Sequence, residues 1–160
     1  MKPHVAAFVV LVSLAAALCL GPVAVHAQSS GEFVSVTDAM LRRPAPENWL
    51  MWRRTLDSWG YSPLDQINRE NVATIRMVWT RGLRAGSQQR TPLVHDGVMY
   101  MPNPRDVIQA LDAATGDLVW EHRRDRPDDL ADYLIPSLID TNRNLAIYDS
   151  AIIDTSIDGH

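Results

Sequence analysis

The spacing of apolar and polar positions divides the chain into stretches of different character. From Val5 to Leu20 it is almost wholly apolar, behind the single positive charge of Lys2 and ahead of Val25-His26-Ala27. This is the layout of a cleaved export signal, and Gly21-Pro22 interrupts the apolar run before it reaches the length of a membrane span. Residues 1–27 are therefore expected to be removed, taking with them Cys19, the one cysteine. From residue 91 onward the pattern becomes short apolar runs that alternate with polar residues, each bounded by Gly, Pro, Asn or Asp, as in β-strands.

The strands follow in a regular order. Thr91 to Val94 begins the first, His95-Asp96-Gly97 is a hairpin turn, and Val98 to Met101 returns. Pro102 to Asp106 turns the chain again, Val107 to Leu111 is a third strand, Asp112 to Gly116 a tight turn, and Asp117 to His122 a fourth. Four short antiparallel strands with such brief connections make one blade of a β-propeller. Downstream, Ala146 to Asp149 and Ala151 to Thr155 repeat the first hairpin. Trp79 and Trp120 each end a strand-like run and stand about forty residues apart, the period of propeller blades. The expected fold is all-β: a partial β-propeller with about one and a half to two blades present, the remainder lying beyond His160.

Between the signal and the first full blade the pattern is less regular. Residues 28–48 read as a lead-in, with a short helix over Thr37–Arg43 capped by Thr37 and stopped by Pro44. Trp49, Trp52 and Trp59 read as core packing, since each can bury a large apolar area. Asn68 caps a single helical turn through Val72, and the alternation in Ile75–Thr80 predicts a strand. The first blades are thus expected to occupy residues 49–160.

Composition narrows the choice of partners. The 19 acidic residues outnumber the 15 basic ones, of which all but Lys2 are arginine, so a nucleic-acid partner is excluded. The Arg123–Asp129 run mixes signs and is broken by Pro127, which reads as a solvated loop, and His95, His122 and His160 show no metal-ligand spacing.

The densest signal is Ala110-Leu111-Asp112-Ala113-Ala114-Thr115-Gly116-Asp117-Leu118-Val119-Trp120. Gly116 can take the positive φ of a tight turn, Asp112 and Thr115 can bond the turn's own amides, and Trp120 can wedge against a neighbouring blade. This spacing resembles the tryptophan-docking motif of quinoprotein dehydrogenases, eight-bladed propellers that bind pyrroloquinoline quinone. Trp49–Arg54, Gly60–Asn68 and Thr91–Tyr100 resemble the same methanol/ethanol-type alcohol dehydrogenases. The resemblance implies oxidation of a primary alcohol in the periplasm, with the quinone and a divalent metal (calcium or a lanthanide), and with cytochrome c as electron acceptor. It assigns cofactor binding to Arg143, in Asn142-Arg143-Asn144, and to Gln89, which stands where many members carry glutamate. Members also carry an adjacent cysteine pair near residues 136–141, and this chain has none there. Catalytic and metal-binding residues are expected beyond residue 160, so none is assigned here and the chain alone is expected to be inactive. The competing reading is a non-catalytic propeller scaffold of the outer-membrane assembly type, which shares the docking motif; the sequence around Cys19 fits a lipid-attachment site poorly.

Overall fold

A computed structural model describes residues 33–87, 89–135, 141 and 143–159. The expected export signal, Gln88, residues 136–140 and Asn142 lie outside the described residues. Six strands form two antiparallel sheets. β1 (Leu93–His95), β2 (Val98–Asn103), β3 (Val107–Asp112) and β4 (Leu118–Arg123) pair in sequence order, and β5 (Ala146–Tyr148) pairs with β6 (Ala151–Ile153). The all-β expectation holds, and each strand lies within a residue or two of its expected position.

Burial follows position in the sheet. In β3 both faces are covered, and Val107 to Leu111 are all buried, whereas in β4 most residues are exposed and both faces reach solvent. A register shift at Ala110/Leu111 bends the β3–β4 ladder next to the tight turn. The β1–β2 hairpin closes through Asp96 (φ 49) and Gly97 (φ 75), the pair of left-handed residues that a two-residue turn needs to match strand twist.

The lead-in staples the two sheets together. α1 (Asp38–Arg42) is capped as expected, the Thr37 hydroxyl accepting from the Met40 amide at 3.3 Å. Just before it, Val36 pairs with Asp149 through two backbone hydrogen bonds of 2.7 and 2.8 Å, and beyond it Trp49 pairs with Val94 at 2.7 and 2.9 Å. The lead-in, through Val36, and the residue that follows it, Trp49, thereby supply backbone partners to residues of both hairpins. Val36, Leu50, Leu93, Tyr100, Ile108, Ala110, Leu145 and Ile147 form one core, so lead-in and both sheets share it. Asp38 also raises the Tyr148 hydroxyl's pKa, by its charge and by hydrogen bonding, tying α1 to β5. Among the described residues no helix is long and apolar enough to cross a membrane.

The Ala110–Trp120 segment folds as its residues dictate. Asp112 Oδ1 accepts from the amides of Ala114 (2.8 Å) and Thr115 (2.9 Å), and the Gly116 amide donates to the Asp112 carbonyl at 2.8 Å. Gly116 has φ 77, and a Cβ there would lie 2.6 Å from the Trp79 ring. The Trp79 indole covers the turn, donating from Nε1 to the Ala113 carbonyl at 3.2 Å. The docking tryptophan of this turn is therefore Trp79. Trp120 instead tilts against Tyr100 of its own sheet (centroids 6.0 Å apart) and faces Ser150 and Ile152 across a cleft of about 470 Å³.

Two expectations need correction. Ile75–Thr80 is not a strand: Met77 and Val78 are 82% and 84% exposed. Alternation records a preference for extended backbone, but a strand exists only where another offers ladder hydrogen bonds, and no described strand pairs with this segment. Trp52 and Trp59 are 55% and 75% exposed rather than core residues; Trp52 lies beneath the Arg53 guanidinium, 5.4 Å from its ring centre. Trp49 is half-buried where it pairs with Val94. The helical turn expected over Asn68–Val72 forms: the Val72 amide donates to the Asn68 carbonyl at 2.9 Å, Asn68 Oδ1 accepts from the Glu70 and Asn71 amides, and a 3-10 turn over Val72–Thr74 continues it.

A polar chain crosses the sheet from Asn103 through Gln109 (3.3 Å) to Glu121 (2.7 Å), which also accepts from Arg123 Nε. The Gln109 hydrogen bond, opposed by partial burial and assisted by Arg123, holds the Glu121 carboxyl below its ordinary pKa.

Two outcomes follow. Gly116→Ala should lower the unfolding free energy by about 1–3 kcal/mol through left-handed strain and overpacking against Trp79. Gly82→Ala, whose Cβ would meet nothing within 4 Å, should change it by less than about 0.5 kcal/mol in the same denaturant titration. Because Glu121 is depressed in the folded state, its contribution is present above the ordinary carboxylate range and lost as pH falls through and below that range. Glu121→Gln should therefore flatten the fall in Tm between about pH 6 and pH 3.

Candidate cofactor site

The β5–β6 hairpin positions the site. Leu145 and Ile147 are buried in the core, which fixes the start of β5 and with it the preceding residues. Arg143 is exposed there and lines a cavity of about 280 Å³ with Thr141, Asn144, Thr155, Ser156 and Ile157. The cavity thus lies between the chain entering the hairpin and the chain leaving it. The described lining contains one guanidinium, one carboxamide and three hydroxyls, and no carboxylate. Among the described residues Arg143 forms no ion pair; Asp149 does not engage it, and Asp140 lies outside the described residues.

Gln89 lies four residues ahead of β1, whereas Arg143 lies three ahead of β5, so the residue equivalent to Arg143 in the first hairpin is Arg90. Gln89 is exposed and is not among the described residues lining the Arg143 cavity. Its neighbour Arg90 anchors that stretch, donating to the Pro102 carbonyl at 2.8 Å and the Ser87 carbonyl at 3.1 Å. Burial lowers the Arg90 pKa, and the charge of Asp154 opposes the shift.

The far wall of the cavity is bonded to the four-stranded sheet. Arg124 donates to Asp158 Oδ1 and Oδ2 at 2.8 and 2.7 Å, and to Ser156 Oγ at 2.8 Å. Ser156 Oγ in turn donates to Asp106 Oδ2 at 2.5 Å. The Asp158 hydrogen bonds lead in raising the Arg124 pKa, partly offset by burial. Of the two residues the sequence nominated, Arg143 lines this cavity and Gln89 does not, while Asn144, Thr155 and Ser156 were not nominated. The available signal was the hairpin repeat itself, which puts Asp154-Thr155-Ser156 where Met101-Pro102-Asn103 ends the first copy.

Two other hollows have different chemistry. The cleft at Trp120 is also lined by Phe33, Ile108 and Ile152 and is mainly apolar. A third, about 310 Å³, is lined by Arg84, Arg105, Arg123, Arg124 and Arg126. Its charge is offset by Asp125 and Asp128 in the lining and by the carboxylates that hold Arg123 and Arg124.

A four-stranded blade followed by the opening hairpin of another, docked by tryptophan on a glycine turn, defines a β-propeller segment. Residues 49–151 match the family described as PQQ glucose/ethanol/alcohol dehydrogenase, beta-propeller domain, and the chain belongs to that family. It is 40% identical over 116 residues to the dehydrogenase subunit of a quinone alcohol dehydrogenase from Gluconacetobacter polyoxogenes, covering 71% of this chain and 15% of that protein. A 1-butanol dehydrogenase (cytochrome c) from Thauera butanivorans is 32% identical over 100 residues, 62% of this chain and 14% of the relative. The solved quinohemoprotein alcohol dehydrogenase ADHIIG of Pseudomonas putida HK5 superposes with a TM-score of 0.69 at 31% identity, over 78% of this chain and 18% of that one. The chain thus spans less than a fifth of the length of these proteins.

Proposed function

We propose that this chain supplies part of the cofactor wall of a periplasmic quinoprotein dehydrogenase that oxidises a primary alcohol, with Arg143 as the principal contact to pyrroloquinoline quinone and Gln89 as a second. The carrying observation is the Arg143 cavity: a guanidinium without an ion pair among the described residues, in a described lining of hydroxyl and amide groups with no carboxylate. A tricarboxylic quinone presents anionic and carbonyl oxygens, and this donor set suits them, since a guanidinium can fork onto a carboxylate or onto neighbouring oxygens. When bound, the quinone accepts the hydride equivalent from the alcohol. The chain's residues hold and orient it: Arg143 neutralises charge at its polar edge, Gln89 offers an uncharged hydrogen-bonding group, and Asn144 and Thr155 add further donors.

The proton-accepting base, the calcium or lanthanide ligands and the surface that meets cytochrome c belong, in this reading, to sequence outside residues 33–159. Among the described residues no group of three His, Cys, Asp or Glu side chains is arranged to hold a metal ion. The relatives' names support the alcohol substrate and the cytochrome c acceptor, and the family match favours a dehydrogenase over a scaffold.

The test is a transplant. Residues 49–151 of this chain replace the matching segment of the Gluconacetobacter polyoxogenes subunit, and dye-linked oxidation of a primary alcohol is followed while quinone is titrated in excess calcium. Activity is expected to persist. Arg143→Gln in the transplant should weaken quinone affinity about 100-fold, the loss of roughly 3 kcal/mol of charge-assisted hydrogen bonding. Unchanged affinity in that variant would refute the assignment. The 160-residue chain alone is expected to give no dye-linked oxidation.

A further inference from the structure

The Arg143 cavity has one wall that its own hairpin does not secure. Thr155, Ser156 and Ile157 follow β6 and belong to no strand, so nothing in the β5–β6 ladder fixes them. The Thr155 amide donates to Asp154 Oδ1 at 2.8 Å and the Ser156 carbonyl accepts from the Gly159 amide at 3.1 Å, but the Ser156 side chain, with that of Asp158, reaches to the neighbouring sheet. Arg124, just after β4, meets Asp158 with both terminal nitrogens and Ser156 with one. Its platform is held in turn: the Arg124 amide donates to the Asp106 carbonyl at 3.4 Å, and Asp106 accepts from the Ser156 hydroxyl. Both Asp106 and Asp158 side chains are only 9% exposed, so this network is largely screened from water, where charge-assisted hydrogen bonds hold geometry best. Asp106 itself sits at φ 52 beside Arg105 at φ 68, two left-handed non-glycine residues in one turn. Such a backbone persists where surrounding bonds determine it.

We infer that Arg124 is a positioning residue for the cofactor site: from one blade it sets the Thr155–Ile157 wall against which Arg143 of the next blade holds its ligand. Arg124 touches no ligand. It acts through Ser156 and Asp158, keeping the Thr155 and Ser156 hydroxyls at a fixed separation from Arg143. Lysine cannot replace it, because one ammonium cannot meet both Asp158 oxygens and the Ser156 hydroxyl in a planar fork. The inference rests on the reading of Arg143 as a quinone contact.

Two measurements test it. Amide hydrogen exchange on the full 160-residue chain should show residues 155–158 exchanging about tenfold faster in Arg124→Gln, with β2 and β3 unchanged. Arg124→Lys should behave like Arg124→Gln. Exchange at 155–158 that is already fast in the unsubstituted chain, or that Arg124→Gln does not alter, would overturn the inference. In the transplant extended to residue 159, Arg124→Gln should raise the quinone Kd about tenfold and leave kcat at saturating quinone unchanged. A purely structural role would reduce the folded fraction without moving the Kd of what remains. If Arg143→Gln weakens quinone binding while Arg124→Gln leaves it unaltered, the positioning role fails and the cofactor assignment stands. If neither variant changes the Kd, the cofactor assignment itself has failed.

Discussion

The indole of Trp79 lying on the Gly116 turn is the contact on which the arrangement depends. It closes one face of the tight turn that connects β3 to β4, and it does so from a segment that belongs to no sheet of its own. Only glycine leaves room for it, since any side chain at 116 would meet the ring at 2.6 Å. The turn is meanwhile over-determined from within by Asp112 and Thr115, whose side-chain oxygens accept the amides of Ala114, Thr115 and Asp117. A rigid turn and a flat aromatic surface make a contact that depends little on the residues around it.

Much of the fold was legible because its signals are local. The alternation at Val98–Met101 and Val107–Leu111, the Asp96-Gly97 pair and the Asp112–Gly116 turn each carry their own stereochemical reason, and the structure places them as expected. Thr37 and Pro44 bounded α1 for the same kind of reason. What escaped was non-local. Nothing in Ile75–Thr80 announces that its extended backbone lacks a partner, because pairing is a property of two segments. The burial of Trp52 and Trp59 likewise depends on what packs over them. The role of Trp79 was hidden behind that of Trp120, since both end strand-like runs in the sequence, whereas in the structure Trp79 lies on the Gly116 turn and Trp120 sits in β4 against Tyr100.

The candidate site was half legible in the same sense. Arg143 and Gln89 came from resemblance, and the structure adds that each lies on the chain entering one of two successive hairpins, with Arg90 rather than Gln89 at the position equivalent to Arg143. The hydroxyl wall of Thr155 and Ser156 could not be read from resemblance to a motif, because it is built by the return of a hairpin and fastened by an arginine thirty or so positions earlier. Arginine suits all these tasks for different reasons. At Arg54 it reaches two carbonyls of the Pro44–Ala45 turn from a buried position, at Arg90 it ties the Ser87 loop to the end of β2, and at Arg124 it bridges two carboxylates and a hydroxyl.

The pairing of Val36 with Asp149 has a consequence for the order in which the molecule assembles. The ribosome makes these two residues at nearly opposite ends of the described chain, whereas β1 to β4 fold on near neighbours and can form as soon as they emerge. Val36 must therefore wait for its backbone partner until the β5–β6 hairpin is made, although Val34 and Asn48 of the same segment can already bond His95 and Asp96 of the first hairpin. Until then the amide and carbonyl of Val36 lack Asp149, and its side chain lacks cover from Leu145 and Ile147. That interval is when the nascent chain is most open to pairing with another copy of itself, and a holding chaperone would matter most then.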